Sequence, residues 1–462
     1  MPSQPRAATL GELLDSGHVH RPVKAELRAN LLSRLKSGES RFPGIIGFDE
    51  TVLPHVERAL LAGHDLVLLG ERGQGKTRLI RTIAGLLDEW TPVVAGCEIN
   101  DHPYAPVCVR CVRLKEEAGM DLPVWWRHRD ERYAEKLATP DTSVGDLIGD
   151  VDPIKVAQGR TLGDPETVHY GLVPRANRGI FAVNELPDLA ERIQVALLNV
   201  LEERDVQIRG YQLRLPLDVL LVASANPEDY TNRGRIITPL KDRFGAEVRT
   251  HYPLDLDLEV DLILQEAELA AEVPRHLLET LARFTRFVRD SKAVDARSGV
   301  SARFAIAAAE TVAAGAMRRA ALTGEETAVA RVADLPAIVP SLMGKVEFEV
   351  SEEGREQEVM EHLLRRAIAE TFRRTLGGAD LSGLLDRFDA GETVDTGELV
   401  TAGDLLTRLG PVRGLAKIMA ALDLAGDSPG QAAAAVEFAL EGLYLTRRLS
   451  KDVSGDEATY RL

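Results

Sequence analysis

Short runs of consecutive apolar residues alternate along this chain with longer stretches whose apolar positions return every three or four residues. Asp65-Leu-Val-Leu-Leu-Gly70, Gly179-Ile-Phe-Ala-Val183 and Val219-Leu-Leu-Val-Ala-Ser224 are runs of the first kind. Their length and bounding residues predict strands buried on both faces. Between them the pattern is helical: Val52 to Ala62, Thr77 to Leu87, and Leu186 to Glu203, where Leu189, Ile193, Leu197 and Leu201 share a face. Residues 8–38 also read as amphipathic helix, through Leu10, Leu13 and Leu14 and then Leu27, Leu31, Leu32 and Leu35. Val206 to Leu215 alternates around Gly210-Tyr211, a hairpin signal. Strands alternating with helices predict an α/β fold with a mainly parallel sheet.

Beyond Pro253 the chain changes character. Residues 255–344 follow a helical pattern almost throughout. Lys345 to Val350 reads as a short strand, Gln357 to Leu376 as a helix, and 411–450 as helical again, with an alanine-rich run from Gln431 to Leu445. Residues 96–136, polar and studded with Pro103, Pro106 and Pro123, read as an irregular insertion. No internal repeat stands out.

The chain has 462 residues, more than one core usually supports. Its net charge of -16 argues against a general nucleic-acid surface, which needs a basic face. No apolar run reaches the roughly 18 residues that span a bilayer. The first thirty residues mix Arg6, Glu12, Asp15, Arg21 and Lys24 with apolar positions, so no signal peptide is expected and the expected address is cytoplasmic.

Gly70-x-x-x-x-Gly75-Lys76-Thr77 follows a predicted strand and opens a predicted helix, the context a phosphate-binding loop requires. Gly70, Gly73, Gln74 and Gly75 let backbone N–H groups wrap phosphates, Lys76 reaches the β- and γ-phosphates of ATP, and the Thr77 hydroxyl is placed for Mg²⁺. Asn184-Glu185 ends the second strand. Glu185 is a candidate to polarise the attacking water, and Asn184 a candidate for the Mg²⁺ shell. An asparagine there keeps an acceptor but loses a negative charge, so slow turnover is expected, and Asn184→Asp is expected to raise Mg²⁺ affinity. Asn226, after the third strand, can bond the γ-phosphate or the water. Each has a blander reading: Glu185 as a solvated carboxylate, Asn226 as a turn-former.

Three such motifs in this order resemble the AAA+ ATPases, and within them the group holding the magnesium chelatase I subunit and the MoxR ATPases. The most specific stretch is Gly171-Leu-Val-Pro-Arg-Ala-Asn-Arg-Gly-Ile-Phe-Ala-Val-Asn-Glu185, and Asp146 to Asp152 resembles the start of that group's insert in its second helix. The likeness covers about residues 41–350. It implies an ATPase core over 41–254, with the helix-2 insert at 146–172 beside the cysteine-containing insertion at 96–136, and a helical lid over 255–344; the residue pattern outside it adds an N-terminal helical arm over 1–40 and a C-terminal mostly helical region over 345–462. It implies that Ile45 and Ile46 line the adenine pocket. Arg243, in Leu240-Lys-Asp-Arg-Phe244, would be an arginine finger acting on a neighbouring subunit in a ring, usually a hexamer; the bland alternative is a surface arginine paired with Asp242. Arg303 would be the lid's nucleotide-sensing arginine, with Arg297 the competitor. The group commonly works with a protein carrying a von Willebrand A domain.

Cys97, His102, Cys108 and Cys111 form a Cys-x₄-His-x₅-Cys-x₂-Cys pattern that suits tetrahedral Zn²⁺, with His128 an alternative to His102. Three ordinary thiols are the competing reading. The leading functional expectation is an ATP-driven ring that remodels a partner protein. A true magnesium chelatase ATPase subunit, inserting Mg²⁺ into protoporphyrin, and an ATP-binding scaffold with little hydrolysis are the alternatives. A transcription activator is disfavoured, since no helix-turn-helix signal stands out.

Overall fold

The computed structural model describes residues 4–152, 154, 157, 167–203, 215–227, 235–295, 299–389, 391–426, 428–454 and 457–462. The chain divides into two units, Met1–His251 and Tyr252–Leu462. In the first unit the described strands are β1 (Leu66–Leu69), β2 (Trp90–Val94), β3 (Val124–His128), β4 (Tyr133–Leu137), β5 (Gly149–Val151), β6 (Val168–Tyr170), β7 (Gly179–Asn184), β8 (Val219–Ala225) and β9 (Ala246–Arg249). Five of them make one sheet in the order β4-β7-β8-β1-β9, parallel throughout.

The period-two pleat divides each central strand between two cores. Leu66, Leu68, Ile180, Ala182, Leu220 and Val222 face one. Val67, Leu69, Phe181, Val183, Leu221 and Ala223 face the other. This is the α/β architecture that the strand runs predicted. The helix Val52–Ala62 has the predicted bounds, and the helix Lys76–Ile83 starts at the phosphate loop. The expected N-terminal arm packs on this unit, with Val23, Leu27 and Leu31 of the helix Val23–Ser37 inside the first core.

Residues 96–136 are more ordered than expected. They hold the helix Val109–Ala118, the strand β3 paired antiparallel with β2, and the lead into β4. Val124 and Trp126 are buried while Trp125 is exposed, an alternation hidden among prolines and charged residues. The insert beginning near Asp146 contributes the antiparallel pair β5–β6. The predicted hairpin around Gly210 lies outside the described residues.

The diagnostic Ala176-Asn177-Arg178-Gly179 stretch clamps the start of β7. Asn177 accepts from Asp218 N at 2.9 Å and donates to Ile99 O at 3.0 Å. Arg178 reaches Pro92 O at 2.6 Å and Thr91 Oγ1 at 2.7 Å. Burial lowers its pKa to about 10. A Cβ on Gly179 would lie 2.0 Å from Arg132 O, so only glycine admits this close approach. Arg132 in turn donates to Arg178 O at 2.9 Å and forms a two-pronged pair with Glu26, both distances 2.7 Å.

The second unit is mainly helical, as predicted, around one core fed by the helices Arg275–Arg289, Ala302–Thr323, Glu356–Thr375 and Pro429–Leu445. Two expectations fail there. Lys345 to Val350 forms no strand and pairs only through a bridge between Val294 and Phe348. The strands Val394–Gly397, Ser450–Ser454 and Glu457–Arg461 form a small antiparallel sheet in a region expected to be mostly helical. Among the described residues no helix is long and apolar enough to cross a membrane.

Removing one member of a buried ion pair strands the other, at a cost of about 3–5 kcal/mol. Arg132→Met is therefore expected to lower the urea midpoint, with a loss of unfolding free energy of that order. Adding Glu26→Gln should recover part of the loss, because a neutral amide still accepts the Asp88 N–H that Glu26 holds at 2.6 Å. Equal midpoints for parent and Arg132→Met would disprove this role.

Candidate functional site

The carboxyl ends of β7 and β8 bring the predicted polar residues together beside the phosphate loop. Gly73 and Gly75 have φ of 73° and 75°, left-handed values that favour glycine. Gly70 has no room for a side chain, since a Cβ would meet Thr250 Oγ1 and Gln74 Oε1. Gln74 is buried and fastens the loop: its Oε1 accepts from Glu71 N at 3.1 Å and from Thr250 Oγ1 at 2.8 Å. Lys76 Nζ bonds Gly70 O, Glu71 O at 2.7 Å and Asn226 Oδ1 at 2.7 Å. Ile45 and Ile46 are half-buried, and Ile45 packs against the core holding Phe42 and Phe48. A Cβ on neighbouring Gly44 would lie 2.9 Å from Arg78 Nη2, so this segment runs beside the helix that follows the phosphate loop.

Glu185 occupies a left-handed backbone conformation, φ 55°. For a residue with a Cβ this costs about 1–3 kcal/mol and is a strain that functional sites retain. Its N–H donates to Ser224 Oγ at 3.2 Å, and its Oε2 accepts from Asn226 Nδ2 at 3.0 Å. Asn226 thus touches both the lysine of the loop and the candidate water-polarising carboxylate.

Asn184 is held from both ends of its amide. Its Oδ1 accepts from Ser224 Oγ at 3.1 Å and from Thr77 Oγ1 at 3.4 Å. Its Nδ2 donates to Glu135 Oε1 at 2.6 Å. Glu135 lies on β4, one strand over, and is gripped by Arg81 at 2.9 and 3.0 Å and by the Tyr133 hydroxyl at 2.8 Å. The Arg81 bonds hold its carboxyl below the ordinary glutamate range. The Thr77 hydroxyl and the Asn184 carbonyl oxygen are hard oxygen donors on one side of the loop. They fit Mg²⁺, which takes few protein ligands and keeps its waters. Glu135 and Ser224 went unnoticed in the sequence: Glu135 sat in a stretch read as an insertion, and Ser224 was counted only as a strand end.

Arg243 ends the helix Thr238–Arg243 and is partly exposed. It pairs with Glu202 at 3.0 Å and with Asp242 at 3.3 Å. Arg303 is exposed, near the start of the helix Ala302–Thr323 of the second unit; Arg297 lies outside the described residues.

The thiols of Cys97, Cys108 and Cys111 gather with a carboxylate oxygen of Asp101, these ligand atoms all lying within 4.8 Å of one another. The expected fourth donor, His102, stands apart from them. Its ring packs on His20, centroids 4.0 Å apart, and on Tyr104, and its Nδ1 accepts from Tyr104 N at 3.0 Å. Burial pushes its pKa down to about 2, so the ring is neutral. His128 is likewise elsewhere, paired with Asp130 at 3.1 Å.

Comparison with known proteins agrees with the resemblance seen in the motifs. The sigma-54 interaction domain family matches residues 160–243, a span that includes β7, β8 and Arg243. The magnesium-chelatase subunit ChlI of a Nostoc species is 30% identical over 242 residues, 51% of this chain and 61% of that protein. The magnesium-chelatase 38 kDa subunit of Cereibacter sphaeroides is 31% identical over 231 residues, 48% of this chain and 62% of that protein. The chain therefore spans under two thirds of the length of these curated relatives. Among solved structures, a cryo-EM-based complex of the BchI and BchD subunits of magnesium chelatase aligns over 70% of this chain and 98% of that one, at 22% identity and a TM-score of 0.37.

The Glu135–Asn184 contact changes what Asn184→Asp should do. An aspartate there would set a second carboxylate against Glu135, and like charges that close oppose each other. The single variant is now expected to bind Mg²⁺ in the presence of a fluorescent ATP analogue no more tightly than the parent. Asn184→Asp with Glu135→Gln should bind it more tightly. Glu135→Gln alone should weaken Mg²⁺ by about tenfold, the low end for loss of an outer-shell partner. A tighter Asn184→Asp single variant would refute the coupling.

Proposed function

We propose that this chain, an AAA+ relative of the magnesium-chelatase I subunits, binds and hydrolyses ATP in a ring and uses the turnover to remodel a partner protein. The observation that carries the proposal is the convergence of Lys76, Thr77, Asn184, Glu185 and Asn226 at one edge of the parallel sheet. In this reading Lys76 exchanges its bonds to Gly70 O, Glu71 O and Asn226 for the β- and γ-phosphates. The N-terminus of the helix Lys76–Ile83 adds favourable partial charge. Mg²⁺, held through Thr77 and Asn184, would supply charge neutralisation at the phosphates. Glu185, its backbone pinned by Ser224, polarises a water, while Asn226 couples that carboxylate to the phosphate-binding lysine.

Arg243 supplies the remaining positive charge from a neighbouring subunit. A guanidinium on the transferring phosphoryl group contributes about 10³–10⁵ in rate. Arg303 is the proposed nucleotide sensor on the strength of Ser301 to Phe304 alone. The remodelled partner is proposed to carry a von Willebrand A domain, and the setting to be cytoplasmic. A magnesium chelatase ATPase subunit remains the second reading, favoured by what its relatives are named. A MoxR-like remodeller is preferred because the cysteine loop is extra to the chelatase I pattern.

Glu185→Gln should retain ATP and lose turnover, and Arg243→Ala should do the same. Mixing the two inactive variants tests the ring directly. Some interfaces then pair an intact Glu185 with an intact Arg243, so phosphate release should reappear, and activity per chain should rise with protein concentration. No recovery on mixing, with activity independent of dilution, would defeat the ring; full activity in Glu185→Gln would defeat the catalytic assignment.

A further inference from the structure

We infer that Cys97, Asp101, Cys108 and Cys111 form a structural site for a thiophilic divalent metal ion of the zinc type, with Asp101 rather than a histidine as its fourth donor. The inference is independent of ATP chemistry. The Sγ atoms of Cys97 and Cys108 are 4.0 Å apart. Two sulfurs bound tetrahedrally at about 2.3 Å from one Zn²⁺ are about 3.8 Å apart, so the spacing is that of a coordination edge. It is twice the roughly 2.05 Å of a disulfide.

The surrounding backbone is arranged for thiolates. Asp101 N donates to Cys97 Sγ at 3.3 Å, and Cys111 N donates to Cys108 Sγ at 3.3 Å. Cys108 caps the helix Val109–Ala118, which brings Cys111 back beside it one turn later. Arg110, anchored on Gly96 O at 3.0 Å, approaches Cys111 Sγ at 3.9 Å and offsets part of the negative charge.

Asp101 is the observation that points to a ligand. It is 1% exposed. Its Oδ2 accepts from Val107 N at 3.1 Å and Cys108 N at 2.9 Å, which fixes the carboxylate, while Oδ1 is buried with no hydrogen-bond partner among the described residues. A buried carboxylate oxygen left unsatisfied is costly, and a cation shared with three thiolates removes that cost. Sulfur donors select zinc-like ions over Mg²⁺ or Ca²⁺, which take oxygen.

The site also has a mechanical consequence. Asn100, left-handed at φ 55°, sits between the ligands Cys97 and Asp101 and donates to Arg175 O at 2.7 Å. Ile99 O accepts from Asn177. The ligand loop is thereby tied to the segment that starts β7, whose far end carries Asn184 and Glu185. Metal binding would fix that start, much as ions staple loops with little core of their own.

The test is metal loading of the full chain. Protein purified without added zinc should contain about one zinc per chain, the count that one four-donor site holds. Replacement by Co²⁺ should give the strong absorption of tetrahedral thiolate coordination. His102→Ala should keep the metal, whereas Asp101→Asn should release it to a competing chelator at least about tenfold more readily. Chelation should speed hydrogen exchange in residues 175–183. Freely reacting thiols, no metal and no Co²⁺–thiolate band in the parent would overturn the site. A metal lost in His102→Ala and retained in Asp101→Asn would overturn the ligand set. If Asp101→Asn does not fold, the parent's Co²⁺ and zinc X-ray absorption decides: three sulfurs and one oxygen support it, three sulfurs and one imidazole refute it.

Discussion

The amide of Asn184 is the contact on which the candidate site depends. Its oxygen faces Thr77 and Ser224, and its nitrogen faces Glu135. An amide has one accepting and one donating end, and each end has found the partner that matches it. An aspartate would match only the first. The neutral residue is thus no simple loss of charge, because a carboxylate stands directly behind it. A hydrogen bond to an ionised group is stronger than a neutral one, and it polarises the amide so that the oxygen on the far side becomes a better acceptor. Arg81 tempers the Glu135 charge from the solvent side, but its guanidinium is largely exposed and water screens it.

The same economy of contacts explains the stretch that was most diagnostic in the sequence. Asn177, Arg178 and Gly179 fasten the beginning of β7 to Asp218, to β2 and to the cysteine loop, and they let Arg132 approach. A parallel strand has no hairpin to set its register, so both ends must be pinned by something else. At its far end β7 is fixed by Ser224 and Glu135 through Asn184. At its near end it is fixed by this clamp and by the Glu26–Arg132 pair behind it. The N-terminal helix carrying Glu26 therefore belongs to the core of the first unit in a physical sense, although nothing in its pattern of leucines says so.

What was legible in the chain divides along physical lines. β1, β7 and β8 were readable because strands buried on both faces are continuous apolar runs, and the turn between β1 and the helix Lys76–Ile83 because its left-handed positions require glycine. β4 was hidden: its residues are half-buried and polar, and its position at the sheet edge demands no apolar run. With it went Glu135. Asp101 was passed over for a different reason. Histidine is the commoner partner of cysteine in a metal site, and only the fold reveals that His102 turns to His20 and Tyr104 while Asp101 turns to the thiols. The small C-terminal sheet was missed in part because one of its outer strands, Ser450–Ser454, is exposed and polar and carries no alternation.

Arg243 poses the remaining question of how a residue can be ordered and still available. Its guanidinium rests against Glu202 and Asp242, both more than half exposed. Pairs of that kind are worth about 0–1 kcal/mol, since water solvates the separated charges nearly as well. The pairing therefore orients the arginine without trapping it. A phosphoryl group carries more charge in a less solvated place, and its bonds to a guanidinium are charge-assisted and two-pronged. In the proposed ring the exchange from Glu202 to a neighbour's nucleotide would run downhill once the subunits meet, and back when the phosphate leaves. The end of the helix that follows β8 would then differ between the two states. That difference gives such a ring a means of passing the state of one site to the next.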